Sequence, residues 1–215
     1  MKYYASHPGA TNPENHRVQY LKENKIGLMI SAEHWGTPFT NYAVDNGAWS
    51  DFVHHKPFDA ERFRKVLLKI TRTELKPDFI ILPDIVQGGK ASLELSKKYL
   101  YLTDIHPCYL PIQDGITPDM IPDYVWENLS GIFIGGSDVW KWRYLHIWVS
   151  LAHNHDVNIH VGRVGTLKDM QKCIYAGVDS ADGSALIRNQ KHTEIMRFLN
   201  MANNVDNYLC KEGEE

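Results

Sequence analysis

The segment Phe79-Ile80-Ile81-Leu82-Pro83-Asp84 is a short apolar run that ends in a carboxylate. Five further segments repeat this form, an apolar stretch followed by an acidic, amide or glycine residue, at 42–47, 109–115, 132–136, 159–162 and 178–183. Continuous apolar runs of this length are typical of parallel strands that are buried on both faces. Polar residues at the carboxyl ends of several such strands are typical of α/β enzymes, which place their chemistry there.

Strand patterns and helix patterns alternate along nearly the whole chain. Strands are predicted at residues 1–6, 26–31, 41–44, 77–82, 107–112, 131–134, 158–161 and 178–181. Helices are predicted at 13–24, from 58, at 90–102, from 117, at 139–153, from 166 and at 193–209. This order predicts a compact (β/α)₈ TIM barrel of the α/β class, as one domain over residues 1–215, with an open doubly wound sheet as the alternative.

Two of the predicted helices carry clear start signals. Asp59 is the expected N-cap of the helix that follows it, and Thr166 opens the penultimate helix in the manner of a capping box. The helix after Asp59 presents a single apolar face, made of Phe63, Val66, Leu67 and Ile70.

Composition excludes several classes of protein. The 215 residues are 43% hydrophobic, which suits a domain with a substantial core, and the net charge of −3 argues against a broadly basic surface for nucleic acid. Cys108, Cys173 and Cys210 are too far apart for a disulfide framework or a zinc cluster. The chain shows neither a signal-peptide core nor the roughly 18 apolar residues of a membrane span. We therefore expect a cytoplasmic protein without a membrane partner.

Two aspartates are the first candidates for catalysis. Asp182 follows the eighth predicted strand, and a carboxylate in that position can serve as a nucleophile, a base or a metal ligand. Asp45 ends another apolar run in the same way. Both have a simpler alternative, since Asp-Gly and Asn-Gly sequences favour turns. Trp49 is placed either to stack on a planar ligand or to pack in the core.

The ends of the fourth, fifth and sixth predicted strands together fit a purine. Asp84, Gln113 and Asp114 supply carboxylates and an amide, and Gly135 and Gly136 expose backbone N–H groups. The pairing edge of guanine needs acceptors for N1–H and the 2-amino group and donors for O6. Glycine also lets a ligand approach the backbone closely. This combination predicts recognition of a purine base.

The loop after the seventh predicted strand reads Gly-Arg-Val-Gly-Thr over residues 162–166. Barrel enzymes often bind phosphate there, at the start of the next helix, and a tight loop with a capping threonine is the alternative. Lys141 and Arg143, on the predicted tryptophan-rich helix, are further candidates for phosphate contacts. No histidine pair has the i, i+4 spacing of a zinc enzyme. A metal-dependent barrel hydrolase, with Asp84, Asp114 and a nearby histidine as ligands, stays open as an alternative.

The motif series resembles the tRNA-guanine transglycosylases, and more closely their small phage and bacterial relatives that insert 7-deazaguanines into DNA. The most specific parts are 161–169, similar to the family's Gly-Val-Gly-Thr-Pro-Glu-Asp loop, and 176–182, similar to its Gly-Val-Asp-x-x-Asp run. The resemblance implies that Asp182 is the nucleophile and Asp45 the second catalytic carboxylate. It implies that substrate is bound by Trp49, Asp84, Gln113, Gly135, Gly136, Arg163 and Arg188.

Departures from the family pattern bear on the substrate. Ala48 replaces a family glycine, and Asp114 replaces the glycine after Gln113. The family's Cys-x-Cys-x-x-Cys…His zinc subdomain has no counterpart in the sequence. Since that subdomain helps the tRNA enzymes to dimerise and to hold tRNA, its absence favours DNA over tRNA and leaves the oligomeric state open.

The resemblance implies base exchange without a cofactor or a metal. Guanine in DNA would be replaced, through a covalent aspartyl-glycosyl intermediate, by a 7-deazaguanine such as preQ0 or preQ1. Arg163, Arg188 and Lys191 would hold flanking phosphates. The alternatives are a tRNA-guanine transglycosylase and a non-catalytic nucleic-acid-binding partner of such an enzyme.

Overall fold

The chain forms a closed barrel of eight parallel strands in the order β1 to β8, with β8 returning to pair with β1. The structure is a computed structural model, and it describes residues 1–6, 16–31, 35, 36, 38 and 40–184. The strands are β1 (Lys2–Ser6), β2 (Gly27–Ser31), β3 (Tyr42–Asp45), β4 (Ile80–Ile81), β5 (Cys108–Ile112), β6 (Gly131–Ile134), β7 (Asn158–Val161) and β8 (Ser180–Gly183). The (β/α)₈ fold expected from the sequence is therefore confirmed.

Helices follow most of the strands. They are α1 (His16–Glu23), α2 (Ala48–Val53), α3 (Ala60–Ile70), α4 (Gly89–Lys97), α5 (Asp123–Trp126), α6 (Asp138–Asn154) and α7 (Leu167–Ala176). Two short 3₁₀ helices cover Leu100–Asp104 and Pro118–Met120. Among the helices of the described ranges, none combines the length and the apolar character needed to cross a bilayer.

Apolar side chains between the strands and the helices make the larger core. On α3, Phe63, Val66 and Ile70 are buried, as the sequence pattern predicts, and Leu67 packs at the edge. The predicted caps are also present, since the Asp59 carboxylate accepts from the Arg62 N–H and the Thr166 hydroxyl from the Asp169 N–H. These caps satisfy backbone donors that a helix start leaves without partners.

The barrel interior is closed by a layer of large side chains. Its buried members come from β1 to β5 or their ends, and they are Tyr4, Met29, Ala43, Phe79, Ile81 and Tyr109. Phe133 of β6 packs against them. The rings of Phe79 and Tyr109 stack, with centroids 4.0 Å apart. Side chains alternate along a strand, so the next inward position lies two residues further on. That next layer holds the polar residues at the carboxyl end of the barrel.

Several predicted boundaries are wrong in informative ways. The helix expected over 90–102 divides into α4 and a 3₁₀ helix, and the helix expected from Thr117 is a 3₁₀ turn before α5. The eighth strand was expected over 178–181, with Asp182 after it, but β8 runs Ser180–Gly183. Asp182 is thus a strand residue. The predicted closing helix at 193–209 lies outside the described residues.

Candidate functional site

A cavity of about 440 Å³ opens at the carboxyl end of the barrel. Its size lies within the range of small-molecule sites, which is roughly 300–1,000 Å³. The cavity is lined by eight of the nine residues expected from the sequence: Asp45, Trp49, Asp84, Gln113, Gly135, Gly136, Arg163 and Asp182. Arg188, the ninth, lies outside the described residues, as does Lys191. Residues scattered over most of the chain therefore meet at one place.

Asp182 lies in β8 with its carboxylate facing two hydrogen-bond partners. The Ser6 hydroxyl donates to Oδ2, and Nε2 of His160 lies 3.1 Å from Oδ1. The residue is 7% exposed, and it lines the cavity. Its position is fixed by the pairing of β1 with β8, which sets Tyr4 opposite Asp182. A carboxylate that is held from both sides and still borders the cavity suits attack on a bound ligand.

Asp45 is the last residue of β3 and lies on the same cavity wall as Asn46. Its Oδ1 accepts from the Gly47 N–H at 2.9 Å, which is the turn geometry that the sequence left as an alternative. The residue is partly exposed and borders the cavity. A turn role and a place in the site are therefore compatible.

Asp84 is held in a buried network of amides. Asn46 donates from Nδ2 to Asp84 Oδ1 at 2.8 Å, and Gln113 donates from Nε2 to Oδ2. The other end of the Gln113 amide accepts from the Gly136 N–H at 2.9 Å and from the Gln87 N–H at 3.2 Å. The network joins the ends of β4, β5 and β6, and it fixes three of the expected base-binding groups relative to one another.

Burial raises the pKa of Asp84 to about 7. Loss of hydration is the main cause, because a buried carboxylate is less stable in its charged form. The hydrogen bonds from Asn46 and Gln113 lower the pKa, and the nearby charge of Asp45 raises it. Near neutral pH, the Asp84 carboxyl is therefore poised between its neutral and ionised forms.

The two glycines after β6 play different parts. The Gly135 N–H donates to the Ile112 carbonyl at 3.0 Å, and Gly135 lines the cavity. A Cβ on Gly135 would lie 2.5 Å from Nε2 of Gln113, so glycine is needed for close approach. Gly136 has a φ of 70°, which favours glycine, and its N–H faces Gln113.

Arg163 and Trp49 cover part of the cavity. The guanidinium carbon of Arg163 lies 4.5 Å from the centre of the Trp49 ring, and Nη2 donates to the Gly136 carbonyl. Arg163 has a φ of 60°, an uncommon conformation for a residue with a side chain. Trp49 is 45% exposed, so it is not the core residue that the sequence left as an alternative. The pair joins helix α2 to the loops after β6 and β7.

Lys141 was a candidate for phosphate contacts, but its side chain is fully buried. Nζ donates to the Gly162 carbonyl at 2.9 Å and pairs with Asp138 at 3.2 Å. Burial lowers the pKa of Lys141, with the nearby Arg163 charge adding to the effect. Lys141 therefore supports the loop at the end of β7 from behind.

The metal-site alternative finds no support within the described ranges, where no group of three or more histidine, cysteine, aspartate or glutamate side chains is arranged to hold an ion. Asp114 faces Ser137, accepting from its backbone N–H at 2.7 Å and from its hydroxyl at 2.5 Å. Asp84 faces amides. The two proposed metal ligands thus take part in separate hydrogen-bond networks.

Three polar residues of the site are not singled out by the sequence: Ser6, Asn46 and His160. Each is a polar residue in or just after an apolar run. Period-two alternation places Ser6 and His160 on the inward face only once the inward face of each strand is known. Asn46 was regarded only as part of a turn signal, yet its side chain is 2% exposed and bonds to Asp84.

No family model matches the chain, and a search of curated proteins finds no significant match. The chemical capacity of the site therefore has to be judged from its geometry. The cavity combines a held carboxylate, a second carboxylate, a buried amide–carboxylate network and an exposed indole. Such a set suits a planar, hydrogen-bonding ligand attached to an electrophilic carbon.

Proposed function

We propose that the protein exchanges guanine in DNA for a 7-deazaguanine by way of a covalent aspartyl-glycosyl intermediate. The observation that carries the proposal is the convergence on one cavity of Asp182, Asp45 and the network of Asp84, Gln113 and Gly136. The motif resemblance implies catalytic or base-binding roles for the same residues. Their common location is what base exchange requires.

In the proposed reaction, Asp182 attacks C1′ of the target nucleoside. The C1′–Oδ bond forms as the C1′–N9 bond breaks, and the electron pair of the broken bond goes to guanine. Asp45 assists the transfer of a proton to the departing base and the removal of the N9 proton from the entering base. The entering base then attacks C1′ and releases Asp182. Two displacements retain the configuration of the sugar, as in double-displacement glycosidases.

Base recognition would use the amide–carboxylate network. The ionised Asp84 carboxylate accepts from N1–H and the 2-amino group of guanine, and the Gly136 N–H donates to O6. In the free site, the Gln113 amide bonds to the Asp84 carboxylate and to the Gly136 N–H, so the base would share or replace these contacts. The exposed ring of Trp49 provides a stacking surface, worth roughly 1–3 kcal/mol per base.

A base paired in a duplex cannot reach a cavity inside a barrel end. The target nucleotide would therefore leave the stack, as other enzymes that act on bases require. DNA is favoured over tRNA because the sequence lacks the zinc subdomain of the tRNA enzymes.

The proposal is tested with Asp182→Asn, which keeps the size of the side chain and removes the nucleophile. We expect the variant to lose incorporation of labelled guanine into DNA and to lose the covalent adduct, with its unfolding free energy within about 1 kcal/mol of the wild type. Asp104→Asn, at an exposed site on a 3₁₀ helix, is the control. Exchange retained by Asp182→Asn would overturn the nucleophile assignment.

Incorporation of the labelled base, measured separately with a DNA pool and a tRNA pool, distinguishes the two substrates. Incorporation into tRNA alone would replace the DNA proposal by its tRNA alternative. Binding without incorporation into either pool would favour the non-catalytic alternative.

A further inference from the structure

His160 is a buried titratable residue in contact with the proposed nucleophile, and base exchange as described above gives it no role. Its side chain is fully buried. Nε2 lies 3.1 Å from Asp182 Oδ1, and Nδ1 lies 2.8 Å from the Ser180 hydroxyl. Both ring nitrogens therefore face a partner on β8.

The ring of His160 is also fixed by packing. It stacks on Phe133, with centroids 5.4 Å apart and planes 15° apart, and it meets the rings of Phe79 and Tyr4 at steeper angles. Among these packing partners, Tyr4 carries a polar group, and its hydroxyl donates to Asp78 at 2.6 Å. Within the described residues, the carboxylate that contacts the His160 ring is that of Asp182.

The partners define which ring nitrogen carries a proton. A carboxylate oxygen can only accept, so Nε2 of His160 is the donor to Asp182. The Ser180 hydroxyl can donate or accept, and it satisfies Nδ1 in either case. The imidazole is thus held in the site with Nε2–H oriented as a donor to Asp182.

We propose that His160 is a positioning residue for Asp182, whose Nε2–H stabilises the free carboxylate and so limits the accumulation of the covalent intermediate. The inference rests on the proposed function. When Asp182 attacks C1′, its carboxylate becomes a neutral ester, and the guanine that leaves takes the electron pair of the C1′–N9 bond. A donor bonds more strongly to a carboxylate than to an ester. His160 therefore favours the free enzyme and makes Asp182 a better leaving group in the return step.

The test compares three substitutions of the same residue. His160→Phe keeps a ring in the aromatic layer and removes both nitrogens. His160→Asn keeps a polar group near Ser180 and leaves the position of Nε2 empty. His160→Gln can place an amide N–H near that position, and is the rescue variant.

The measurement is the fraction of enzyme joined to a guanine-containing DNA oligonucleotide on a denaturing gel, at mildly alkaline pH and over a series of guanine concentrations. We expect His160→Phe and His160→Asn to need roughly tenfold more guanine than the wild type to reverse half of the adduct, since a hydrogen bond to a charged group contributes that much or more. His160→Gln should need about as much guanine as the wild type. A general loss of structure would not raise the adduct fraction.

His153→Phe is the matched control, because His153 also pairs with an aspartate, Asp179, at 3.2 Å, and Asp179, unlike Asp182, does not line the cavity. It should leave the guanine dependence unchanged. If His160→Phe fails to fold, His160→Asn gives the same test. Wild-type guanine dependence in a folded variant that lacks the donor would overturn the role of His160. A wild-type enzyme that forms neither adduct nor exchange product would instead overturn the proposed function, and this inference with it.

Discussion

At the scale of single residues, the burial of Asp84 has a consequence for base binding. Its pKa is raised to about 7, and the proposed contacts with guanine require the ionised form. A ligand that binds only the ionised form has an affinity that increases as the pH rises through the pKa of the free site. We therefore expect the affinity for guanine, measured by calorimetry, to increase as the pH rises through about 7.

Asp84→Asn provides the comparison for this prediction. The amide keeps the shape of the side chain but carries no charge at any pH. Its guanine affinity should be weak and nearly independent of pH across the same range. A pH dependence equal to that of the wild type would assign the titration to another group.

The contact of Arg163 with Trp49 predicts opposite effects on two ligands. The guanidinium covers one face of the ring, and a base that stacks on that face must displace it. Because a cation–π contact at an exposed site contributes about 0.5–1 kcal/mol, Arg163→Gly should bind free guanine roughly two- to fivefold more tightly. The same variant should bind a DNA oligonucleotide more weakly, since a phosphate-binding cation is lost. Quenching of Trp fluorescence measures both affinities, and weaker binding of both ligands would contradict the prediction.

At the scale of the elements, local signals were sufficient for the starts of α3 and α7 and insufficient for two other features. Asp59 and Thr166 cap α3 and α7 through contacts with the adjacent turn, so the sequence alone predicted them. Helix α2 was missed because the Asn46-Gly47 turn signal precedes only six helical residues. Turn residues and a short helix share the same segment there, and local patterns do not separate them.

The boundary of β8 was missed for a different reason. Asp182-Gly183 has the composition of a turn, but both residues pair with β1, where Tyr4 lies opposite Asp182 and Ala5 opposite Gly183. Pairing between strands so distant in the chain has no local signal. The same limit applies to the site, since the sequence singles out Asp182, which lines the cavity, but gives no indication that Ser6 and His160 contact it.

The turn after β6 predicts a link between stability and binding. Asp114 accepts from the backbone N–H and the hydroxyl of Ser137, which holds the segment that carries Gly136. Asp114→Ala should lower the free energy of unfolding by about 1–3 kcal/mol, because the two donors lose a charged partner. It should also weaken guanine binding by loosening the Gly136 N–H.

Urea denaturation and calorimetry measure the two effects of this substitution. Asp119→Ala, an exposed position in the neighbouring 3₁₀ helix, serves as the control and should change neither quantity by more than about 0.5 kcal/mol. Loss of stability without a change in guanine binding would contradict the proposed link, because Asp114 would then stabilise the fold without supporting the Gly136 N–H.

At the scale of the whole molecule, the layers of side chains inside the barrel determine where the polar residues of the site lie. The packed interior of a barrel supports the polar layer above it, and the ends of eight strands converge there. The sequence predicted this arrangement because apolar runs ending in polar residues recur along the chain. It could not predict which alternate positions face inward, since strands buried on both faces show no contrast between their two sides.

Met29, Ile81 and Phe133 line the bottom of the cavity, and the stacked Phe79 and Tyr109 belong to the same packed layer. In the proposed reaction, the outgoing guanine and the incoming base would pass through the same opening, one after the other. Initial-rate measurements should give the parallel double-reciprocal lines of a ping-pong reaction, with guanine competing against its replacement. Intersecting lines would mean that both bases occupy the protein together, for which a floored cavity of about 440 Å³ that also holds the sugar leaves little space.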